Sequence, residues 1–578
     1  MLRFSVINPV YSSKFRSLLL IPFLLALVLT PQISAAQTTS DPPSDTPTAQ
    51  NEAKDTEKPV TPPAKKEVLA EMVEGTIVET KKNDDTAKET APKNWRAEFD
   101  YYFSKILVEP LEDFLFFDFG SKRYLNVKIP FVVVWLLFGA LFFTLRMGFI
   151  NFRGFWHAIQ VTRGKFDKPG EEGEVSHFQA LASALSATVG LGNIAGVAIA
   201  VGTGGPGAIF WLILAGLFGM SSKFVECTLG QMYRKVEPDG TVTGGAMQYL
   251  KEGLGELGFP RIGVFLSVIF ALLCMGASFG GGCVFQVSQS LNAIKHQSDF
   301  FKDYPWVYGV ILAFFAGIVI IGGIRRIAAT AEKIVPLMCG IYVAAALYIL
   351  YQHYNDIPSA FKLIFTEAFS IEAGIGGFLG TMVIGIKRAA FSNEAGIGSA
   401  PIAHAAAKTD EPISEGIVAL LEPFIDTVVV CTMTGLVIVI TGVRGTADGQ
   451  KFIDADNGAG LTSMAFGSVI DWFPYILMVA TVLFAYSTMI SWSYYGERCC
   501  RNLFGPRASI IYKCIFILFI VIGSIATSSS LLAFSDVLLL SMAFPNICGC
   551  IFLSGKVKRH LNHYWQRYKS GELDPEKT

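Results

Sequence analysis

Apolar runs of about 18 residues or more recur along most of this chain, and they constrain its fold more than any other feature. A length of 578 residues would allow several soluble domains, but the runs argue for one polytopic membrane domain. Composition agrees: 52% of residues are hydrophobic and 16% charged, against about 25% charged in a soluble domain. The predicted spans are 129–145, 177–201, 208–230, 262–292, 307–324, 335–351, 374–391 with a continuation to 407, 416–440, 469–494, 510–527 and 531–553. That is about eleven transmembrane helices in an all-α membrane protein, each near the length a bilayer demands.

The flanks fix the expected topology. Lys- and Arg-rich loops at 146–168, 233–235, 322–333, 497–507 and 556–569 alternate with poorer ones such as Gly202–Gly207. By the positive-inside rule the N-terminus lies outside and the C-terminus inside. The start of the chain agrees. Arg3, Lys14 and Arg16 precede the apolar run Ser17–Leu29, which ends near Pro31 and the small residues Ser34–Ala36, as in a secretory signal peptide. An uncleaved signal anchor is the alternative.

The domain reading is therefore a signal peptide at 1–36, a disordered exported tail at 37–94 rich in Pro, Thr, Lys, Glu and Asp, an amphipathic interfacial segment at 95–125 for which packing against the external loops is the plainer role, a membrane domain at 126–555 and a cytoplasmic C-terminal tail at 556–578. The location this implies is a bacterial inner (plasma) membrane, with a periplasmic N-terminus. The lipid bilayer is the expected surrounding, and no basic face suggests nucleic acid. The ten cysteines lack zinc spacing and read as ordinary thiols. Oligomeric state is not legible.

Two stretches break the apolar pattern. "ATVGLGNIAGVA" (Ala187–Ala198) places Gly190, Gly192, Gly196 and the polar Asn193 inside the second span. "FSNEAGIGSAPIAHA" (Phe391–Ala405) places Gly396, Gly398 and Pro401 in the seventh. A broken membrane helix is tolerated where its freed backbone lines a buried site. Breaks at corresponding places in oppositely oriented halves indicate an inverted-repeat transporter with its substrate at the midplane. Close helix packing through small residues is the alternative for either stretch.

Several longer stretches carry a family resemblance. Gly204–Glu226, Ser183–Ala198, "GGAMQYL" (Gly244–Leu250), Phe391–Pro412 and "FAYSTMISWSYYGER" (Phe484–Arg498) resemble the alanine or glycine:cation symporters, from about Phe131 to the last apolar span. The resemblance implies a leading helix plus a LeuT-type 5+5 inverted-repeat core with two broken helices. It also implies sodium-coupled import of small neutral amino acids by alternating access, with sodium as the co-transported ion, no organic cofactor and no enzymatic activity. Proton coupling is the alternative, and a cation channel or a transport-inactive sensor are more distant ones.

The same resemblance puts sodium between the first and eighth core helices. Here these supply Thr188, Val189, Phe484, Ser487 and Thr488, with hydroxyls and carbonyls offering oxygens without fixed charge. Each hydroxyl alternatively bonds the carbonyl a turn back. Substrate contacts are expected from Gly190, Gly192, Asn193, Gln286 and Trp492. Gln286 can donate to a carboxylate and accept from an ammonium, or it makes an interhelical hydrogen bond. Trp492 walls the pocket or anchors an interface. Cys283 and Ser288 depart from the family pattern, where Asn is common, which leaves the substrate range open.

Glu422 and Asp426 share a helix face, with Lys387 and Arg388 on the preceding span as candidate partners, which suits structural pairing or gating better than substrate contact. His177 and His404 read as helix-end residues.

Overall fold

The computed structural model describes residue 102 and residues 104–573, apart from 126, 239, 296–297, 371–373, 456 and 526–528. The expected signal segment and exported tail lie outside the described residues. Apart from turns, loops and an isolated bridge between Val175 and Ala407, the described residues are helical, with one short antiparallel pair, Lys235–Val236 with Val242–Thr243.

In chain order the principal helices are α1 (Phe131–Arg146), α2 (His177–Thr188), α3 (Val197–Gly204), α4 (Gly207–Met232), α5 (Pro260–Phe279), α6 (Phe285–Lys295), α7 (Pro305–Ile321), α8 (Gly323–Gln352) and α9 (Gly374–Asn393). They continue with α10 (Ala400–His404), α11 (Pro412–Val418), α12 (Thr432–Thr441), α13 (Gly458–Gly467), α14 (Phe473–Phe504), α15 (Ala508–Ile525), α16 (Ser529–Ser541) and α17 (Ala543–Ser570).

Among the described residues, seven helical stretches are long and apolar enough to cross a membrane, or eight with the bent pair α2/α3 taken as one. The pair bends by 54°. Helices α1 and α7 are apolar but shorter.

Local sequence explains the helix ends. Proline opens α5, α7 and α11, where its missing N–H is harmless. Ser176 and Gln179 form a capping box at the start of α2. Gly205 and Gly505, at φ 73° and 88°, end α3 and α14 in backbone conformations that side chains disfavour.

Some helices outrun the expected spans. The basic stretch 322–333 is not a loop: α8 begins at Gly323, so the arginines ride its first turns. Likewise α14 runs through Glu497–Phe504, and α17 passes the expected boundary at 555 to reach Ser570. A helix satisfies its own backbone in lipid and water alike, so it need not stop where hydrocarbon does.

The described part of the segment at 95–125 packs against the bundle. Phe114 meets Phe544 at 5.8 Å, and the Phe131 N–H donates to Phe117 O at 2.8 Å.

Candidate functional site

The first break starts at Val189, where the chain turns extended (φ −72°, ψ 104°). In an unbroken helix the Gly190 N–H would donate to Ser186 O. Here it donates to Asn193 Oδ1 at 2.7 Å, and the chain resumes as a wide π-helical turn over Gly192–Gly196. The Ser186 carbonyl is thereby released toward α14. It accepts from Thr488 Oγ1 at 3.1 Å, with Ser487 Oγ at 3.5 Å. Ser186 Oγ donates to Ser487 O at 2.8 Å and lies 2.5 Å from Ser491 Oγ. Ser487 Oγ also lies 3.0 Å from Phe484 O. The result is a buried cluster of hydroxyl and carbonyl oxygens with no fixed charge, a donor set that suits a hard monovalent cation.

Of the residues expected around sodium, Phe484, Ser487 and Thr488 meet in this cluster. Gly190 borders it: a Cβ there would lie 3.2 Å from Thr488 Oγ1. The Thr188 hydroxyl instead turns back toward Ala184 O and Leu185 O, at 3.3 and 3.4 Å. The Val189 N–H remains in the helix, donating to Leu185 O.

The second break follows α9. Glu394 takes φ 54°, and Gly396 and Gly398 take 92° and 87°, before α10 begins. The first break meets the last turn of α9, just ahead of the second. Asn193 Nδ2 donates to Ser392 Oγ at 3.0 Å and to Asp426 Oδ1 at 2.7 Å, and a Cβ on Gly192 would lie 3.3 Å from Ser392 Cα. Asn193 thus spends both ends of its amide on the protein, holding the unwound turn to α9 and to the π-helical stretch Phe424–Cys431 that carries Asp426. Helix α13 covers this turn, with Thr462 Oγ1 donating to Ile194 O at 3.0 Å.

Gln286 and Trp492 belong to a neighbouring wall. The Gly280–Val284 turn between α5 and α6 lies flat on Trp492, where a Cβ on Gly282 would approach to 2.4 Å of the tryptophan Cβ. Gln286 Nε2 donates back to Gly281 O at 3.0 Å, leaving its buried Oε1 without a hydrogen-bond partner. Trp492 is one turn beyond Thr488 on α14, so a single helix carries the hydroxyls and the aromatic wall.

The sequence profile of the sodium:alanine symporter family matches residues 121–578. The sodium/alanine symporter AgcS of Methanococcus maripaludis is 41% identical over 74% of this chain and 92% of its own. The chain belongs to the sodium:alanine symporter family. An uncharacterized transporter of Haemophilus influenzae is 39% identical over 76% of this chain and 94% of its own, and the amino-acid carrier protein AlsT of Bacillus subtilis 34% over 78% and 93%. This symporter-family member is a multi-pass membrane protein of a transporter family.

The family assignment leaves its buried charges to be placed. Glu422 does not pair with Lys387 or Arg388: its Oε1 accepts from Lys223 Nζ at 2.8 Å, and Asp426 accepts from Asn193, Ser392 and Thr427. Lys387 sits 5.0 Å over the Phe116 ring. The candidate pairing drew on the preceding span, whereas Lys223 reaches Glu422 from α4.

His177 and His404 stand at helix ends, and both bond Glu415. Asn546 joins α17 to the second break, donating to Gly396 O at 2.8 Å and to Glu226 Oε1 at 2.9 Å. Two surface clefts, one beside Glu172, Arg234 and Asp410 and one beside Glu367 and Arg444, contain none of the expected site residues. Ser186 has one sequence signal: it lies four residues before the glycine that opens the break.

Proposed function

We propose that this protein imports small neutral amino acids, alanine or glycine, into the cell with sodium, by alternating access across the plasma membrane. The observation that carries the reading is the Ser186 carbonyl, released by the break at Val189–Gly190 and faced by the Thr488 and Ser487 hydroxyls. Sodium would be held there by Ser186, Ser487 and Thr488, together with the Val189 carbonyl that the extended backbone frees from the helix.

Substrate would lie beside the unwound turn. Backbone N–H groups and the positive end of the following half-helix suit its carboxylate. The unpartnered Gln286 Oε1 suits its ammonium, and Trp492 limits its side chain. The contact of the first break with the last turn of α9, just ahead of the second break, supports an inverted-repeat core of the LeuT type, with about eleven spans in all. The end rich in Lys and Arg would face the cytoplasm.

Uptake into liposomes under imposed sodium or proton gradients tests this, with a panel of small amino acids. A sodium gradient should drive saturable uptake of alanine or glycine. Current that persists without amino acid would indicate a channel, and uptake driven by protons alone would replace sodium as the coupling ion.

A further inference from the structure

Asp167, His177, Glu415, His404, Glu422 and Lys223 form a row in which carboxylates and imidazoles alternate. His177 Nε2 lies 3.6 Å from the half-exposed Asp167, and its Nδ1 bonds Glu415 Oε2. The other Glu415 oxygen lies 2.5 Å from His404 Nδ1. His404 Nε2 faces Glu422 Oε2 across 3.8 Å, and neither atom has a hydrogen-bond partner. Glu422 Oε1 ends the row on Lys223 at 2.8 Å. From Glu415 inward every side chain is fully buried, and His177 is nearly so.

Charge balance says what the row holds. With neutral imidazoles, Glu415 and Glu422 outnumber Lys223, leaving one buried negative charge uncompensated where that is costly. One proton, on either imidazole beside Glu415, brings the buried members to neutrality. A second proton, on His177, is matched by Asp167. The surroundings add carboxylates. Glu226 and Glu394 face Lys223 from α4 and the second break, Asp426 lies one turn beyond Glu422, and Glu171 lies near His177. Arg234 is a more distant cation facing Glu415, and Cys227 and Tyr495 are neutral neighbours of Glu422.

The row also bridges the helices beside the two breaks. His177 opens α2, the first half of the first broken helix, and His404 closes α10, which follows the second break. Beside them the segment before α2 is laced to the segment after α10. The N–H groups of Glu174 and Val175 donate to Ala406 O, and that of Lys408 to Val175 O. Gly173 permits this approach, since a Cβ there would lie 2.7 Å from Ala407 O. Arg234 ties the same two segments, donating to Glu172 O at 2.8 Å and to the carbonyls of Ala405, Ala407 and Thr409.

We propose that this row is a proton-binding site, reached from the surface through Asp167 and His177, whose occupancy holds α2 against α10 and α11. Parting these helices hydrates His177 and separates it from Glu415, so its proton is released to the water on that side. By linkage, protons on that side favour the closed arrangement. The assignment of that side to the cytoplasm rests on the topology proposed above; the site itself does not.

The test measures sodium-driven alanine uptake in oriented liposomes while pH is varied only on the Asp167 side. Hydrogen exchange of the Glu174 and Val175 amides, corrected for intrinsic rates, is followed in parallel. Lowering that pH from about 8 to about 6 should slow uptake by the unaltered protein about five-fold or more and protect both amides. His177→Gln and His404→Gln should flatten both profiles while sodium-driven uptake persists. Asp167→Asn, at a half-exposed position that cannot unsettle the core, should shift them even where a histidine variant fails to fold. Identical profiles in the unaltered protein and in Asp167→Asn and any folded histidine variant would overturn the proposal. Absence of sodium-driven uptake in the unaltered protein would count instead against the transport reading, with the exchange profiles still deciding the proton site.

Discussion

At Ser186 the useful atom is a backbone oxygen, and it is available because Gly190 gives its N–H to Asn193. The glycines and the asparagine were legible as a break, since no apolar helix needs them. The released oxygen was marked only by its place four residues before Gly190, because a carbonyl belongs to every residue. Asn193 shows the converse. Its side chain is conspicuous in an apolar run, yet it joins Gly190, Ser392 and Asp426 within the protein. Asn193→Ala should therefore leave Asp426 short of a donor, costing about 1–3 kcal/mol. Thermal unfolding of the purified protein should show that loss, together with weaker sodium activation of uptake. Gly192→Leu acts differently. Its propensity change is under about 1 kcal/mol and does not favour unfolding, but its Cβ would meet the Ser392 backbone at 3.3 Å. Normal membrane insertion with lost alanine binding is expected. Intact binding in that variant would place the substrate elsewhere.

Among the elements, the sequence reads well where hydrophobicity alone decides and less well where partners are remote. Most helices start within a few residues of the expected spans, because an apolar run must be helical in lipid. The extensions of α8 and α14 were hidden because charged residues on a helix outside the hydrocarbon look like those of a loop. Lys223 and Glu422 are nearly 200 positions apart, so no local pattern links them. Lys223→Met should strand a buried carboxylate and destabilise the protein by about 3–5 kcal/mol, with much of the loss recovered on adding Glu422→Leu. A double-mutant cycle by thermal unfolding checks this.

The helix Phe155–Thr162 offers a pH test. His157 bonds Tyr564 of α17 at 2.9 Å, and burial, aided by the nearby Lys165 charge, lowers its pKa from 6.5 to about 4. Above pH 6.5 the imidazole is neutral in either state and the docked arrangement keeps its full stability. As pH falls from 6.5 to about 4, the released imidazole binds a proton that the buried one refuses, so docking weakens. Hydrogen exchange around Tyr564 should rise over that window beyond its intrinsic trend, and His157→Phe should abolish the rise.

For the whole molecule, the first break packs on the last turn of α9, just ahead of the second break, and one helix, α14, joins the oxygen cluster to the tryptophan wall. The broken-helix core was legible because glycine, asparagine and proline are costly in membrane helices and gathered at two places. The buried proton row was not, since its histidines looked like ordinary helix ends. The central claim is that the Ser186 carbonyl and the facing hydroxyls bind the driving ion. It is tested most directly by alanine uptake into liposomes as a function of sodium concentration, comparing the native protein with the Ser487→Ala/Thr488→Ala double variant. The account predicts that the variant folds and inserts but needs about ten-fold more sodium or more for half-maximal uptake, a shift worth about 1.4 kcal/mol in binding. An unchanged sodium dependence in the well-folded variant would contradict it.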